Sequence, residues 1–165
     1  MRTLRYAILV LLLLVPALTA GCGYTLGYRM PSGVHRLSVP IFANETFPLR
    51  REIEFELTRA VKRELEIRTD VELVTGGADA ILEGTIVAFR EAALTEGPLD
   101  VEQESSIDLV VRFRLIRTID REILVEQEVR DFVNFSVLRG ESLSTARAEA
   151  VDELAERIVE ALEVW

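Results

Sequence analysis

The chain alternates between two periodicities of apolar residues, and their order predicts its elements. Val34 to Phe42 reads as a strand, ended by Ala43-Asn44-Glu45-Thr46 and interrupted by Pro40, which places it at an edge or stops it near the proline. Pro48 is placed to open a helix with Thr46 as candidate N-cap. Ile53, Leu57, Ala60, Val61 and Leu65 then recur at helical spacing, giving one apolar stripe between Leu49 and Arg68. Val71-Glu72-Leu73-Val74 is a short strand, Gly76-Gly77 a turn, and Ala78 to Phe89 a longer strand with apolar residues on both faces. After a loop at Glu96-Gly97-Pro98-Leu99-Asp100, the residues Ile107, Leu109, Val111, Phe113 and Leu115 alternate with mostly polar neighbours. Asp120-Arg121 allows a tight turn, and Ile123, Val125, Val129, Val133, Phe135 and Val137 continue the alternation, so these two strands form an antiparallel hairpin. Beyond Gly140, with Ser142 or Ser144 as N-cap, the stripe Ala150, Val151, Leu154, Ile158, Ala161, Leu162 and Trp165 makes a second helix.

Strand, helix, a run of strands and a helix predict an α+β fold. Two helices with one apolar stripe each pack on one face of a mixed, mainly antiparallel sheet of four to five strands, a two-layer sandwich. The helix between the first strand and the later ones calls for a right-handed crossover. The other face of the sheet carries Arg112, Arg114, Glu126, Glu128 and Arg130. On the helices, Glu64 and Arg68, and likewise Glu153 and Arg157, stand four apart in the favourable order and predict outward-facing pairs.

The start of the chain differs in kind. Residues 1–21 contain no acid; Arg2 and Arg5 precede an apolar run from Ala7 to Val15, Pro16 breaks it, and Thr19-Ala20-Gly21 follow. That is the layout of a secretory signal, and its apolar run is about half the roughly 20 residues needed to span a bilayer. Leu18-Thr19-Ala20-Gly21-Cys22 resembles a bacterial lipobox, in which the cysteine becomes the acylated N-terminus, although Thr19 stands where that pattern prefers leucine. Ordinary cleavage after Gly21, leaving a free thiol, is the competing reading. The domains are then a lipoprotein signal over 1–21, a lipidated N-terminus and short tether over 22–33, and one α+β domain over 34–165.

Charge and composition exclude several functions. The whole chain carries −9, and setting aside Arg2 and Arg5 with the leader leaves 144 residues at −11, without the basic stripe that nucleic acid requires. One cysteine permits no internal disulfide, and one histidine, His35, excludes most zinc sites and most His-paired nucleophiles. No glycine-rich phosphate loop or nucleophile elbow occurs, and neither a cofactor nor a metal is expected. Asp79, between two alanines at a strand start, is expected to accept amides of the Gly76-Gly77 turn rather than to catalyse.

Three phrases carry a resemblance: Cys22-Gly23-Tyr24-Thr25-Leu26; Leu37-Ser38-Val39-Pro40-Ile41-Phe42-Ala43-Asn44-Glu45-Thr46; and Ala78-Asp79-Ala80-Ile81-Leu82-Glu83-Gly84-Thr85-Ile86. In these the chain resembles the LPS-assembly lipoprotein family (LptE-like), over nearly all of its length after the leader. The resemblance implies a non-enzymatic outer-membrane lipoprotein, held at the periplasmic face by acylated Cys22. It implies two partners: the LPS-assembly β-barrel protein (LptD-like), whose lumen such a protein plugs, and lipopolysaccharide itself. Another outer-membrane-anchored periplasmic adaptor, such as a peptidoglycan-synthase activator lipoprotein, is the alternative. Contacts to lipopolysaccharide phosphates need exposed arginine forks, and Arg112, Arg114, Arg117 and Arg121 are the candidates. Against this, the same arginines are placed to pair with Glu126 and Glu128 across the hairpin, and the acidic 96–104 connection is a poor phosphate site.

Overall fold

A computed structural model describes residues 28–96, 102–136 and 139–163. Its elements are β1 (Arg36–Ser38), β2 (Ala43–Asn44), α1 (Ile53–Arg68), β3 (Glu72–Leu73), β4 (Ala80–Glu96), β5 (Glu102–Arg117), β6 (Ile123–Phe135) and α2 (Leu143–Glu160). The sheet runs β3-β1-β4-β5-β6, with β2 pairing separately with β4. β1 and β2 lie parallel to β4, β1 lies parallel to β3, and β4-β5 and β5-β6 are antiparallel. The mixed α+β sandwich expected from the sequence is therefore present, as is the crossover from β1 through α1 to a parallel strand.

Six strands replace the expected four to five because the Val34–Phe42 segment pairs only over Arg36–Ser38 and a further short strand, Ala43–Asn44, forms where the first was expected to have ended. Pro40 has no amide to donate. At Phe42 the amide bonds to Thr58 Oγ1 (3.0 Å) on α1, and Thr58 Oγ1 in turn donates to Glu54 O (2.6 Å). The chain thus leaves β4 after Ser38↔Ile81 and rejoins it at Ala43↔Thr85. Between the two pairings the Phe42 ring turns into the core over Gly84, where any Cβ would overlap it.

The first helix also begins later than expected. Thr46 does not cap it: Thr46 Oγ1 accepts the amide of Arg50 (2.9 Å), closing a turn ahead of the helix. Asn44 braces the same turn, accepting from the amide and hydroxyl of Thr46 and donating Nδ2 to Arg50 O and Glu54 Oε2, both 2.7 Å. With residues 46–50 so engaged, Glu52 takes the N-cap position in a left-handed conformation (φ 72°) and caps with no side-chain bond. At the second helix Ser142 fulfils the expectation, its side chain accepting the amide of Thr145 (3.2 Å).

The core lies between the helices and one face of the sheet. Ile107, Leu109, Val111, Phe113 and Leu115 of β5 are all buried, as the alternation requires, against Leu82 and Ile86 of β4 and Val133 and Phe135 of β6. α1 contributes Ile53, Leu57, Ala60, Val61 and Leu65, and α2 contributes Ala150, Val151, Leu154 and Ile158. Burying each large aliphatic side chain is worth about 1.5–3 kcal/mol relative to exposure. β4 and β5 are longer than expected because their pairing continues past Phe89↔Leu109 to Glu96↔Glu102. Part of the expected 96–100 loop lies outside the described residues, as do Val137, Trp165 and residues 1–27.

Candidate binding face

The face of the sheet turned away from the helices is built by the second half of each alternation. Because successive side chains point to opposite faces, burying the odd-numbered residues of β5 sends Asp108, Arg112 and Arg114 outward. The facing residues of β6 are Phe132, Glu128 and Glu126. β4 adds Glu83, Thr85 and Arg90. Where β1 gives way to β2, this face is hollowed into an open groove of about 550 Å³, lined by Ile41, Glu45, Glu83, Thr85, Arg112 and Arg114 among others.

Two ion-pair systems organise the face. At its centre Asp108, almost fully buried, accepts Nη2 of Arg130 at 2.8 Å and Nη1 of Arg90 at 3.2 Å. Beside the groove, Arg112 Nη2 pairs with Glu128 Oε2 and Arg114 Nη2 with Glu83 Oε2, each at 3.1 Å. The cross-hairpin pairing foreseen for these arginines holds for Arg112. Arg114 stands opposite Glu126 in register but turns the other way, to Glu83 on β4. Arg117 bonds Asp120 (3.2 Å) and Glu122 at the hairpin turn. Arg121 occupies the left-handed position of that turn (φ 62°) and is exposed. Three of the four candidate phosphate contacts are thus ion-paired but half-exposed. The structure brings Arg112 and Arg114 to the groove and leaves Arg117 and Arg121 together at the turn. Cys22 lies outside the described residues.

Asp79 has a different role from the expected one. It does not serve the Gly76-Gly77 turn; its Oδ2 accepts the amides of Arg36 (2.8 Å) and His35 (3.1 Å), and Oδ1 accepts Arg36 Nη2 (3.1 Å). The amide of Arg36, then that of His35 and the Arg36 guanidinium, hold its carboxyl below the usual carboxylate range. His35 itself is exposed.

Glu153 and Arg157 do not form the outward pair that their spacing suggested. Arg157 Nη2 turns under the sheet to Asp131 Oδ1 (3.0 Å), a residue only 2% exposed. Asp131 Oδ2 is buried without a partner, and burial together with the charges of Asp131 and Glu149 pushes the Glu153 carboxyl up. This cluster was readable in principle, since Asp131 shares the inward parity of Val129 and Val133. By contrast, Glu64 and Arg68 pair as expected (2.7 Å), although Arg68 also bridges to Glu156 of α2 (2.8 Å).

Among the described residues no group of three His, Cys, Asp or Glu side chains could hold a metal ion, and no helix is long and apolar enough to cross a membrane. What the arrangement offers is a polar, ion-paired face with an open groove.

Comparison with known proteins agrees with this fold. A protein from Xanthomonas campestris is similar over 81% of this chain and 87% of its own, at 12% identity and TM-score 0.57. A PelC dodecamer from Paraburkholderia phytofirmans aligns over 84% and 96%, at 14% identity and TM-score 0.55. A minor lipoprotein from Acinetobacter baumannii aligns over 80% and 92%, at 16% identity and TM-score 0.53. At these identities the likeness establishes the fold alone. No curated protein sequence matches the chain. The family model for lipopolysaccharide assembly, LptE, matches residues 34–162, which is the whole α+β domain apart from its last three residues. The chain therefore belongs to the LptE family of lipopolysaccharide-assembly proteins.

Proposed function

We propose that the protein is an outer-membrane lipoprotein, anchored on the periplasmic side by acylated Cys22, that plugs an LptD-like β-barrel and takes part in moving lipopolysaccharide to the cell surface. The observation that carries this reading is the family match over 34–162. The physical character of the domain supports it. A barrel lumen is polar, so a plug needs a rigid body with a charged exterior. Here the outer sheet face is held by ion pairs, and arginine supplies the base of each. The role is non-enzymatic: a structural partner for the barrel and a polar surface for its cargo.

Within that role Arg112 and Arg114 contact lipopolysaccharide phosphates at the groove, and Arg117 and Arg121 do so at the hairpin turn. Each paired guanidinium keeps free N–H donors toward solvent, so a phosphate adds to the existing carboxylate bond without having to break it. The experiment is recovery of the protein, under its own anchor, from solubilised envelopes. A single large outer-membrane barrel in stoichiometric amount is the expected result. Recovery of cell-wall synthases without a barrel overturns the reading.

A further inference from the structure

β6 is the last strand of the sheet, and among the described residues nothing pairs with its edge opposite β5. An open edge of 13 residues is a template for another strand. It contains no proline, and its one irregularity lies at its start, where Ile116↔Ile123 and Leu115↔Val125 leave Leu124 bulged. Two large apolar side chains stay exposed near its two ends, Ile123 at 47% and Phe132 at 51%. Between them, on the outer face, stand Glu126, Glu128 and Arg130. Set against its own reverse, that pattern is complementary: Glu126 meets Arg130 on both sides of Glu128.

We propose that two copies of this chain pair β6 to β6, antiparallel, about a two-fold axis through Glu128. In this register Glu126 of each copy faces Arg130 of the other, and Phe132 of each reaches the Ile123-Leu124 end of the other. Opposite charges and apolar pairs directly across a ladder stabilise it, while like charges oppose it. Glu128 meets its own equivalent at the axis, where Arg112 already neutralises each carboxylate at 3.1 Å. The arginine involved is available, because Arg130 bonds Asp108 on one side only and its side chain is 62% exposed. Neighbouring registers are worse. Sliding by one step one way puts Glu126 opposite Glu128; one step the other way keeps a glutamate opposite Arg130, now Glu128, but sets Glu126 against Phe132 and gives up the apolar contacts at the two ends. In the proposed register Val125 faces Asp131 on the inner face, and the charge of Asp131 is held by Arg157 of its own chain. The symmetry is isologous, so the pair closes and no fibre follows.

The test uses the full chain carrying Cys22→Ser, which has no other thiol. Sedimentation is expected to show a reversible dimer with a micromolar Kd, as suits a small interface. Glu128→Cys should form a disulfide dimer on mild oxidation, whereas Glu122→Cys, at the turn and off the axis, should not. Glu126→Arg alone should weaken association by about tenfold or more, because two symmetric attractions become repulsions. Glu126→Arg with Arg130→Glu should restore it. If Arg130→Glu unfolds the chain by stranding Asp108, the cysteine pair and the single reversal decide. A chain that is monomeric at every concentration, or equal crosslinking at 122 and 128, overturns the proposal. So does protection of β6 amides only when a barrel is added. Any of these leaves the proposed function standing, since recovery of the barrel does not depend on the dimer.

Discussion

The ring of Phe42 lies so close to Gly84 that a Cβ on residue 84 would overlap the ring carbons Cγ, Cδ2 and Cε2. A side chain from the break between β1 and β2 thus fills the space that a central residue of β4 leaves vacant. Gly84→Ala forces the ring or the strand to move, and overpacking of this kind costs about 1–3 kcal/mol. Phe42→Ala should cost about 3–5 kcal/mol. The two are coupled: in the Phe42→Ala background, Gly84→Ala should cost far less than alone. Urea unfolding of the four proteins checks this, and simple additivity would show that the contact is not what fixes Gly84.

Asp79 ties β1 to the start of β4 through two amides and one guanidinium. Its carboxyl is held below the ordinary value of 3.8, so its contribution to stability is full above that value. The contribution is lost as pH falls through the lowered folded value. Asp79→Asn should therefore be less stable than the parent at pH 7, with the difference shrinking in strong acid. Chemical denaturation across pH measures it, and a pH-independent difference contradicts the assignment.

Glu153 shifts the other way, because burial and Asp131 disfavour its charge. A raised acid contributes stability below its ordinary 4.5 and loses it as pH rises through the folded value. Glu153→Gln should stabilise the protein at pH 7, supplying a donor near the unpartnered Asp131 Oδ2, and give no gain below pH 4.5. Glu153 is exposed, so the gain is small, below about 1 kcal/mol. Thermal unfolding at two pH values reads it.

Arg112 and Arg114 pair with exposed glutamates, an arrangement worth about 0–1 kcal/mol per pair. Replacing both with glutamate should leave the melting temperature within a few degrees while weakening binding to lipopolysaccharide aggregates. Undiminished binding by the folded variant removes these two residues from the cargo site.

Cys22→Ser should move the protein from the membrane fraction to the soluble one, since buried acyl chains hold at about 0.8 kcal/mol per methylene. Sedimentation with membranes in high salt would show that something other than a lipid anchor retains it.

Two of the three phrases that carry the family resemblance supply joints of the fold; the third, Cys22 to Leu26, lies outside the described residues. Asn44 and Thr46 close the turn before α1, Phe42 anchors to Thr58, Asp79 clamps β1, and Gly84 makes room for Phe42. Other residues of the same phrases, Ile41, Glu45, Glu83 and Thr85, line the groove, so the phrases serve both the joints and the candidate face. The candidate arginines were legible as outward positions of β5, but their partners were not. Arg114 finds Glu83 on β4 instead of its register neighbour Glu126 because a long side chain reaches either adjacent strand.

What the sequence determined by itself was everything set by periodicity. Apolar spacing of two or of three to four named the helices, the long hairpin and the residues of the core, because only one register of each buries its apolar set. Tertiary structure decided what depends on polar groups meeting at a distance. It cut the first strand back to Arg36–Ser38, delayed α1 to Ile53, and turned Arg157 inward to Asp131. A hydrogen bond or ion pair between residues 16, 26 or 43 positions apart leaves no period in the chain; it exists only once packing has brought its two ends together.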